Sequence, residues 1–325
     1  MNNKTWLGWL FALGATLAFS TSLPVGRMAM LSGMDATYVV ATRFGMATLL
    51  LWLTFWAGQL NVASARQLAK KETMFIDRAP IDRAGMLMLI VTGILSGTST
   101  SLIFLALSQI ESSITAIIFS TLPIFTLVIL AFQGETLTGR KLLRLALAIV
   151  GVYLLIGGGP SGEANLLGVS LAFLGIILLA IQLVMIQPLT RQYDSQTVTR
   201  YNVTTVAVVV SLFWWIEQQF INPTPAVRIQ WQAYWPSAEE WLYILILGVV
   251  ATYAARLMLY AAIRFVGTGQ MALLTPLETL MSITWAVIFL GERLSVVQWI
   301  GGALILCSAL LAIQRRSVVA AEASG

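Results

Sequence analysis

Ala106-Leu107-Ser108-Gln109-Ile110-Glu111-Ser112-Ser113 leads into an apolar run that ends Phe132-Gln133-Gly134-Glu135. The arrangement returns as Ala262-Ile263-Arg264-Phe265-Val266-Gly267-Thr268-Gly269, leading to Phe289-Leu290-Gly291-Glu292. The offset is 156 residues at the first pair and 157 at the last, and Gly151 and Ser308 keep the 157. The chain therefore reads as two related halves. Around the first copy lie apolar runs at 6–30, 36–58, 84–107, 113–132 and 141–157, closed by the polar turn 158–165. Around the second lie runs at 166–188, 197–215, 240–265, 268–290 and 296–313. Crossing a hydrocarbon layer of roughly 30 Å takes about twenty apolar residues, so each run is a candidate span. Five spans per half is an odd number, which turns the second half over relative to the first. The expected fold class is an all-α membrane protein with ten transmembrane helices in a 5+5 inverted-topology repeat, an architecture of secondary transporters. The expected divisions are 1–158 for the first repeat, 159–165 for a linker, 166–316 for the second repeat and 317–325 for a cytoplasmic tail.

Composition agrees with that reading. The 325 residues are 58% apolar and only 10% charged, with a mean hydropathy of +0.85, whereas soluble domains carry about a quarter charged residues. There is no His and a single Cys, Cys307. That removes imidazole acid–base chemistry, imidazole metal sites, Cys/His nucleophile pairs and intrachain disulfides, so no metal and no cofactor is expected. The formal charge of +5 does not point to nucleic acid, because the basic residues sit in short connectors between spans. With the N-terminus inside, fourteen of the nineteen Lys and Arg residues fall on the cytoplasmic side, and only Arg27, Arg228 and Arg293 fall outside. By the positive-inside rule both termini are cytoplasmic, in an inner (cytoplasmic) membrane. The run 6–30 is too long for a signal-peptide core and lacks a small-x-small cleavage site, so it is expected to remain as a mature helix. Two longer connectors, 59–83 and 217–239, are expected as surface loops, the second with Trp231 and Trp235 at headgroup level.

The Arg43-Phe44 pair in the second run and the series Ala106, Leu107, Pro123, Gly134, Glu135 and Gly151, echoed by Ala262, Ile263, Gly291, Glu292 and Gly301, resemble the EamA-type drug/metabolite transporter superfamily. The resemblance covers most of the chain. One departure is the family's frequent Glu-Pro in the ninth helix, which reads Glu278-Thr279 here, with Pro276 earlier. The resemblance implies that helices one, three, four, six, eight and nine surround a central cavity. It also implies export or exchange of small metabolites such as amino acids or amphiphilic compounds, with or without proton coupling, by alternating access.

Ionisable groups inside spans are expensive and so mark function or structural pairs. Glu278, near the middle of the ninth run, reads as a proton carrier, a ligand for a substrate ammonium, or the structural partner of Arg256. Arg256 reads as that partner or as a receptor for a substrate carboxylate. Arg43 is expected to snorkel or to pair with an acid. The polar cluster Gly97-Thr98-Ser99-Thr100-Ser101 puts Thr98, Ser99 and Ser101 either along the cavity or in helix packing. Gln182 and Ser22 are further candidates for hydrogen bonding to substrate, and Trp285, Tyr253 and Tyr260 for an aromatic wall. Ser20-Thr21-Ser22 before Pro24 suggests a hinge or a static kink, and Pro123 and Pro276 invite the same two readings. Gly134-Glu135 and Gly291-Glu292 are expected to cap the helices that follow them.

The rival classes are a channel, a lipid scramblase and, less favoured, a membrane-embedded enzyme, which would need more than one mid-membrane acid. Gly157-Gly158-Gly159 lacks the Gly-Lys-Ser/Thr of a phosphate-binding loop, which argues against an ATP-driven pump. The partners expected are a small-molecule substrate and the lipid bilayer.

Overall fold

The computed structural model describes residues 3–65, 81–132, 143, 146–147, 150–151, 153–154, 165–221, 236–266 and 274–307. All regular structure in these residues is helical. The first half contributes α1 (Asn3–Ser20), α2 (Ser22–Leu31), α3 (Ala36–Ala65), α4 (Arg83–Gln109), α5 (Ser112–Phe119) and α6 (Leu122–Phe132). The second contributes α7 (Leu166–Gln192), α8 (Ser195–Ile216), α9 (Ala238–Leu245), α10 (Ala255–Val266), α11 (Thr275–Trp285) and α12 (Val296–Cys307). Wider π-helical turns continue α8 through Glu217–Ile221, join α9 to α10 through Ile246–Ala254 and extend α11 through Ala286–Leu290.

Among the described residues, five helical stretches are long and apolar enough to cross a membrane: Gly8–Leu31, Ala36–Ala57, Arg83–Gln109, Leu166–Thr190 and Ala238–Ala262. Ser112–Thr126, Leu277–Leu290 and Val296–Cys307 are shorter apolar helices. Large apolar side chains stand exposed at helical spacing: Leu10, Leu13 and Leu17 on α1, Leu49, Leu53 and Trp56 on α3, and Leu87, Ile90 and Ile94 on α4. Hydroxyls and a guanidinium, among them Ser96, Ser99 and Arg43, are meanwhile buried. An apolar face turned outward along several helices is what a lipid solvent demands. The chain is a multi-pass, all-helical membrane protein.

Local sequence explains where elements stop. Gly33, at φ 104°, ends α2, and the amide of Met34 returns to the carbonyl of Ala29 at 3.2 Å, the reach of a Schellman turn. Asp35 then caps α3 by accepting from the amides of Thr37 (2.8 Å) and Tyr38 (3.2 Å). Asn165 caps α7 through the amides of Leu167 and Gly168. The break between α1 and α2 falls at Thr21, three residues before Pro24. That between α5 and α6 falls at Ser120-Thr121, just before Pro123. Proline has no amide to close the preceding turn, and at both breaks the Ser and Thr hydroxyls bond back to carbonyls three residues earlier. Pro276 differs: it lies in the first turn of α11, where a missing amide costs nothing, so in the described residues it opens a helix.

Against α4 pack α7 and α8; α10 packs against α1, while α3 packs against α8 and the π-helical turns after α9. Small residues make the α4 contacts close. A Cβ on Gly97 would stand 2.8 Å from Val209 Cγ1, and one on Gly175 would stand 2.7 Å from Ile103 Cγ1. This is packing of the small-residue kind that replaces hydrophobic drive inside lipid.

Two differences from the sequence expectations concern connectors. The connector expected at 59–83 begins as helix, since α3 runs on to Ala65 with no proline or tight turn to stop it. The one expected at 217–239 begins with π-helical turns to Ile221, and Trp231 and Trp235 lie outside the described residues. So do Glu135, the linker 159–164 and most of the fifth run.

Candidate functional site

The site is assembled around one ring. Phe44 of α3, 1% exposed, lies 5.1 Å from the guanidinium carbon of Arg43 and 5.4 Å from that of Arg256, both within cation–π range. Arg43 is 4% exposed and also lies 5.0 Å from the ring of Phe104 on α4. Its Nε donates to Thr252 Oγ1 at 3.0 Å and its Nη1 to Ser22 Oγ at 2.9 Å. Thr252 sits in the π-helical stretch, and its own hydroxyl donates to the carbonyl of Leu247, five residues back, at 2.7 Å. The π turns thus hold Thr252 one helical turn from Arg256, and such turns often mark functional positions.

Arg256, on α10, is partly buried. Its Nη1 donates to Asn202 Oδ1 at 3.4 Å and its Nη2 to Ser96 Oγ at 3.3 Å. Both lie at the long end of the hydrogen-bond range. Asn202 is oriented by donating through Nδ2 to Thr92 Oγ1 at 3.3 Å. Ser96 has thirteen residues of α4 on either side, so this chemistry sits about 20 Å from each helix end at 1.5 Å per residue.

Of the two readings of Arg256, the pair with Glu278 is not formed among the described residues, where its hydrogen-bond partners are the neutral Asn202 and Ser96. Arg43 neither snorkels nor pairs with an acid, because Ser22, Thr252 and two rings enclose it below the surface. Four other described carboxylates are engaged elsewhere. Asp194 caps α8, Glu240 completes a capping box with Ser237, Glu239 accepts from Tyr243, and Glu217 accepts from Thr37 at 2.6 Å.

Glu278 stands in the first turn of α11 instead of mid-helix, because Pro276 starts the helix just before it. No described residue supplies it with an ion pair or a hydrogen bond. The first turn carries unpaired amides and the positive end of the helix dipole.

The remaining candidates separate into groups. Ser22 joins the arginine cluster. Tyr253, next to Thr252, packs partly buried on the main core. Trp285 donates from Nε1 to Ser20 Oγ at 3.2 Å and stacks on Phe289 at 5.6 Å, which ties α11 to α1. Ser99 donates to the carbonyl of Gly175 at 2.7 Å and is therefore committed to the α4–α7 contact. Ser101 Oγ and Gln182 Nε2 are buried without a hydrogen-bond partner, as is Ser282 Oγ, and Thr98 is partly exposed. Tyr260 belongs to no aromatic wall; it is buried with Leu89, Ile186, Leu189, Tyr193 and Val198. Sequence reading passed over Ser96, Asn202 and Thr252, although Asn202, an amide inside an apolar run, was a readable signal.

Polar clasps hold the helix ends. Glu292 accepts four hydrogen bonds, from the amides of Ser112 (2.9 Å) and Ser113 (2.8 Å) and from their hydroxyls (2.7 and 2.6 Å). It therefore caps α5 in the other half of the chain instead of the helix after it. That following helix, α12, is capped by Ser295, whose hydroxyl accepts from the amide of Gln298 at 3.2 Å. Gly291, at φ 65°, makes the turn that sends Glu292 across. Beside it, burial first and then the charge of Glu292 push the Glu111 carboxyl up, with Arg27 opposing; Arg27 Nη1 donates to the carbonyl of Leu107 at 2.5 Å. At the opposite end of α4, Asp82 accepts from the Tyr193 hydroxyl at 2.5 Å and the Gly85 amide at 2.9 Å. These bonds, the tyrosine first, hold the Asp82 carboxyl below its ordinary value and raise the Tyr193 hydroxyl.

A sequence profile of the EamA-like transporter family matches residues 6–157 and again residues 166–314. The chain belongs to the EamA-like transporter family. As a member it is a membrane transporter, which implies a small-molecule substrate and a bilayer. Among relatives, an uncharacterized transporter of Archaeoglobus fulgidus is 22% identical over 207 residues, 64% of this chain and 69% of its own length. The uncharacterized transporter YcbK of Bacillus subtilis (strain 168) is 24% identical over 201 residues, 61% of this chain and 62% of its own. The match thus spans about two thirds of the length of these relatives. A solved crystal structure superposes with a TM-score of 0.56 at 18% identity, over 95% of this chain and 96% of that one, a likeness of fold. In the terms of the two EamA matches, Ser22, Arg43 and Ser96 come from the first, and Asn202, Thr252 and Arg256 from the second.

Proposed function

We propose that this EamA-like protein is a secondary transporter, an exporter or exchanger of small metabolites, working by alternating access around a mid-depth polar site. The observation that carries the reading is the Arg43–Phe44–Arg256 cluster, to which both EamA halves contribute side chains deep within the helices. A site shared between repeats at the membrane midplane is where inverted-repeat carriers bind substrate. On this reading the chain has ten spans in a 5+5 inverted repeat, with units 1–158 and 166–316, the linker 159–165 and the tail 317–325. Both termini are cytoplasmic and the membrane is the inner one. The Pro24 and Pro123 breaks in α1–α2 and α5–α6 give the bundle points at which to bend. Thr98, Ser101, Gln182, Tyr253 and Trp285 line the path or support its walls, and Glu278 is available to carry a proton.

The test is counterflow. The purified full chain is screened against a metabolite library for compounds that raise its melting temperature, since a ligand bound only to the folded state stabilises it. A stabilising compound is then loaded inside proteoliposomes, and uptake of its radiolabelled form from outside is followed. Transient accumulation above equilibrium is the expected result. Downhill flux without trans-stimulation would identify a channel, and lipid flip-flop without solute uptake a scramblase; either would overturn the reading.

A further inference from the structure

We infer that the substrate of this site is an anion, a small metabolite presenting a carboxylate or phosphoryl group to Arg43 and Arg256 together. The inference rests on the transporter reading above and narrows it to a substrate class. Two guanidiniums lie 5.1 and 5.4 Å from one buried ring. Like charges held together within a bundle are unfavourable unless an opposite charge joins them. No described carboxylate does so: Glu292, Asp82, Glu217, Glu239, Glu240 and Asp194 are committed to hydroxyls or helix amides at the ends of helices. Glu278 stands apart on α11.

The donors themselves point the same way. Every hydrogen-bond partner of the two arginines among the described residues is a neutral oxygen: Ser22, Thr252, Ser96 and Asn202. Nη2 of Arg43 and Nε of Arg256 are taken by no described residue. The two bonds of Arg256 are long, so a charged acceptor forming two parallel bonds at 2.7–2.9 Å would displace them at a gain. Phe44 and Phe104 keep the setting apolar, which strengthens attraction to an anion and disfavours a cationic ligand. An amine substrate would have to meet two positive charges with no acid beside it.

The test uses the purified full chain in detergent. Succinate, inorganic phosphate and putrescine are titrated as the chloride or sodium salts at matched ionic strength, and melting temperature is followed. Succinate or phosphate is expected to stabilise in a saturable manner, the stronger of the two naming the carboxylate or phosphoryl class, while putrescine does not. Arg43→Gln and Arg256→Gln are expected to weaken that binding at least tenfold. Arg256→Lys, which keeps charge and loses the fork, is expected to fall between them and covers the case in which a Gln variant does not fold. Anions that stabilise no better than chloride, or a stronger response to putrescine, would overturn the inference. So would anion binding unchanged in the Arg256→Lys and Gln variants. Counterflow separates the two levels. A cationic or neutral compound carried in counterflow would sink the anion assignment and leave the transporter standing; anion binding at the arginines without counterflow would do the reverse.

Discussion

Replacing Glu292 with Ala tests whether a single carboxylate joins the two halves at the start of α5. Ser112 and Ser113 are both 0% exposed, so the amides and hydroxyls that Glu292 receives have no water to turn to. After truncation the two hydroxyls can rotate toward backbone carbonyls just before α5, as Thr115 does toward Glu111 at 3.0 Å. The two amides cannot. A buried donor left without its partner costs about 1–3 kcal/mol, so two of them, partly relieved by relaxation, amount to about 3 kcal/mol. At about 2 °C per kcal/mol for a chain of this size, the melting temperature of the detergent-purified protein falls by about 6 °C. Thermal melts read by tryptophan fluorescence at a fixed scan rate measure the shift, because unfolding of such a protein is often irreversible. Ser295→Ala is the internal standard: it removes an ordinary cap from α12 and costs about 1 kcal/mol. Combining Glu292→Ala with Ser113→Ala should cost less than the two single losses together, since both remove one clasp. A Glu292→Ala loss no larger than that of Ser295→Ala, or strict additivity with Ser113→Ala, would refute the clasp.

Other outcomes follow from the same contacts. Pro24→Ala restores an amide at the break between α1 and α2 and should slow counterflow several-fold with a melting temperature nearly unchanged; parallel losses of both would indicate a static kink. Asp82→Asn should lower stability near neutral pH but not in acid. The Asp82 carboxyl is depressed from 3.8, so its contribution is present above about pH 4 and is lost as pH falls through the lower folded value; a difference between variant and parent that persists unchanged at about pH 2.5 contradicts this. Gly97→Ala, whose new methyl meets Val209 at 2.8 Å, should cost about 1–3 kcal/mol. Gly45→Ala, with nothing within 4 Å, should be neutral or stabilising by up to about 1 kcal/mol, and melts of the pair decide the point. Glu278→Gln and Arg256→Gln should be additive in stability to within about 0.5 kcal/mol, because the two groups do not touch; a larger coupling in the double variant would restore the ion pair.

Much of the helical plan was legible because burial in lipid writes itself as long apolar runs, and because Pro24 and Pro123 mark breaks through local chemistry. Family membership was legible in the order of weak motifs. The site was less so. That Arg43 and Arg256 flank Phe44 depends on how α3, α4 and α10 lie together, across more than two hundred residues of chain, and no local pattern carries that. Ser99 and Ser101 looked equivalent, yet one hydroxyl faces the carbonyl of Gly175 and the other has no partner; two helical positions, about 200° of rotation, decide it. Gly291-Glu292 read as a local cap of the next helix because caps are usually local. The left-handed turn at Gly291 redirects the carboxylate to a helix 180 residues earlier, and a glycine in sequence does not say which way it turns.

The separation of Glu278 from Arg256 bears on why the arginines have no counter-charge among the described residues. A carboxylate inside a bundle needs positive potential, and it can come from a cation or from the exposed amides at the start of a helix. Pro276 starts α11 immediately before Glu278, and no side chain caps that turn. Glu278 thus stands at the start of a helix, apart from Arg256. Arg256 is left with Asn202 and Ser96, neutral groups at long range, and Arg43 with Ser22 and Thr252. Hydroxyls and amides can orient a guanidinium, but they cannot neutralise it. An acid placed against these arginines by sequence would have made the cluster a permanent strut. Among the described residues no acid does so, and on the proposed reading the electrostatic complement of these two oriented cations arrives from solution and can leave again.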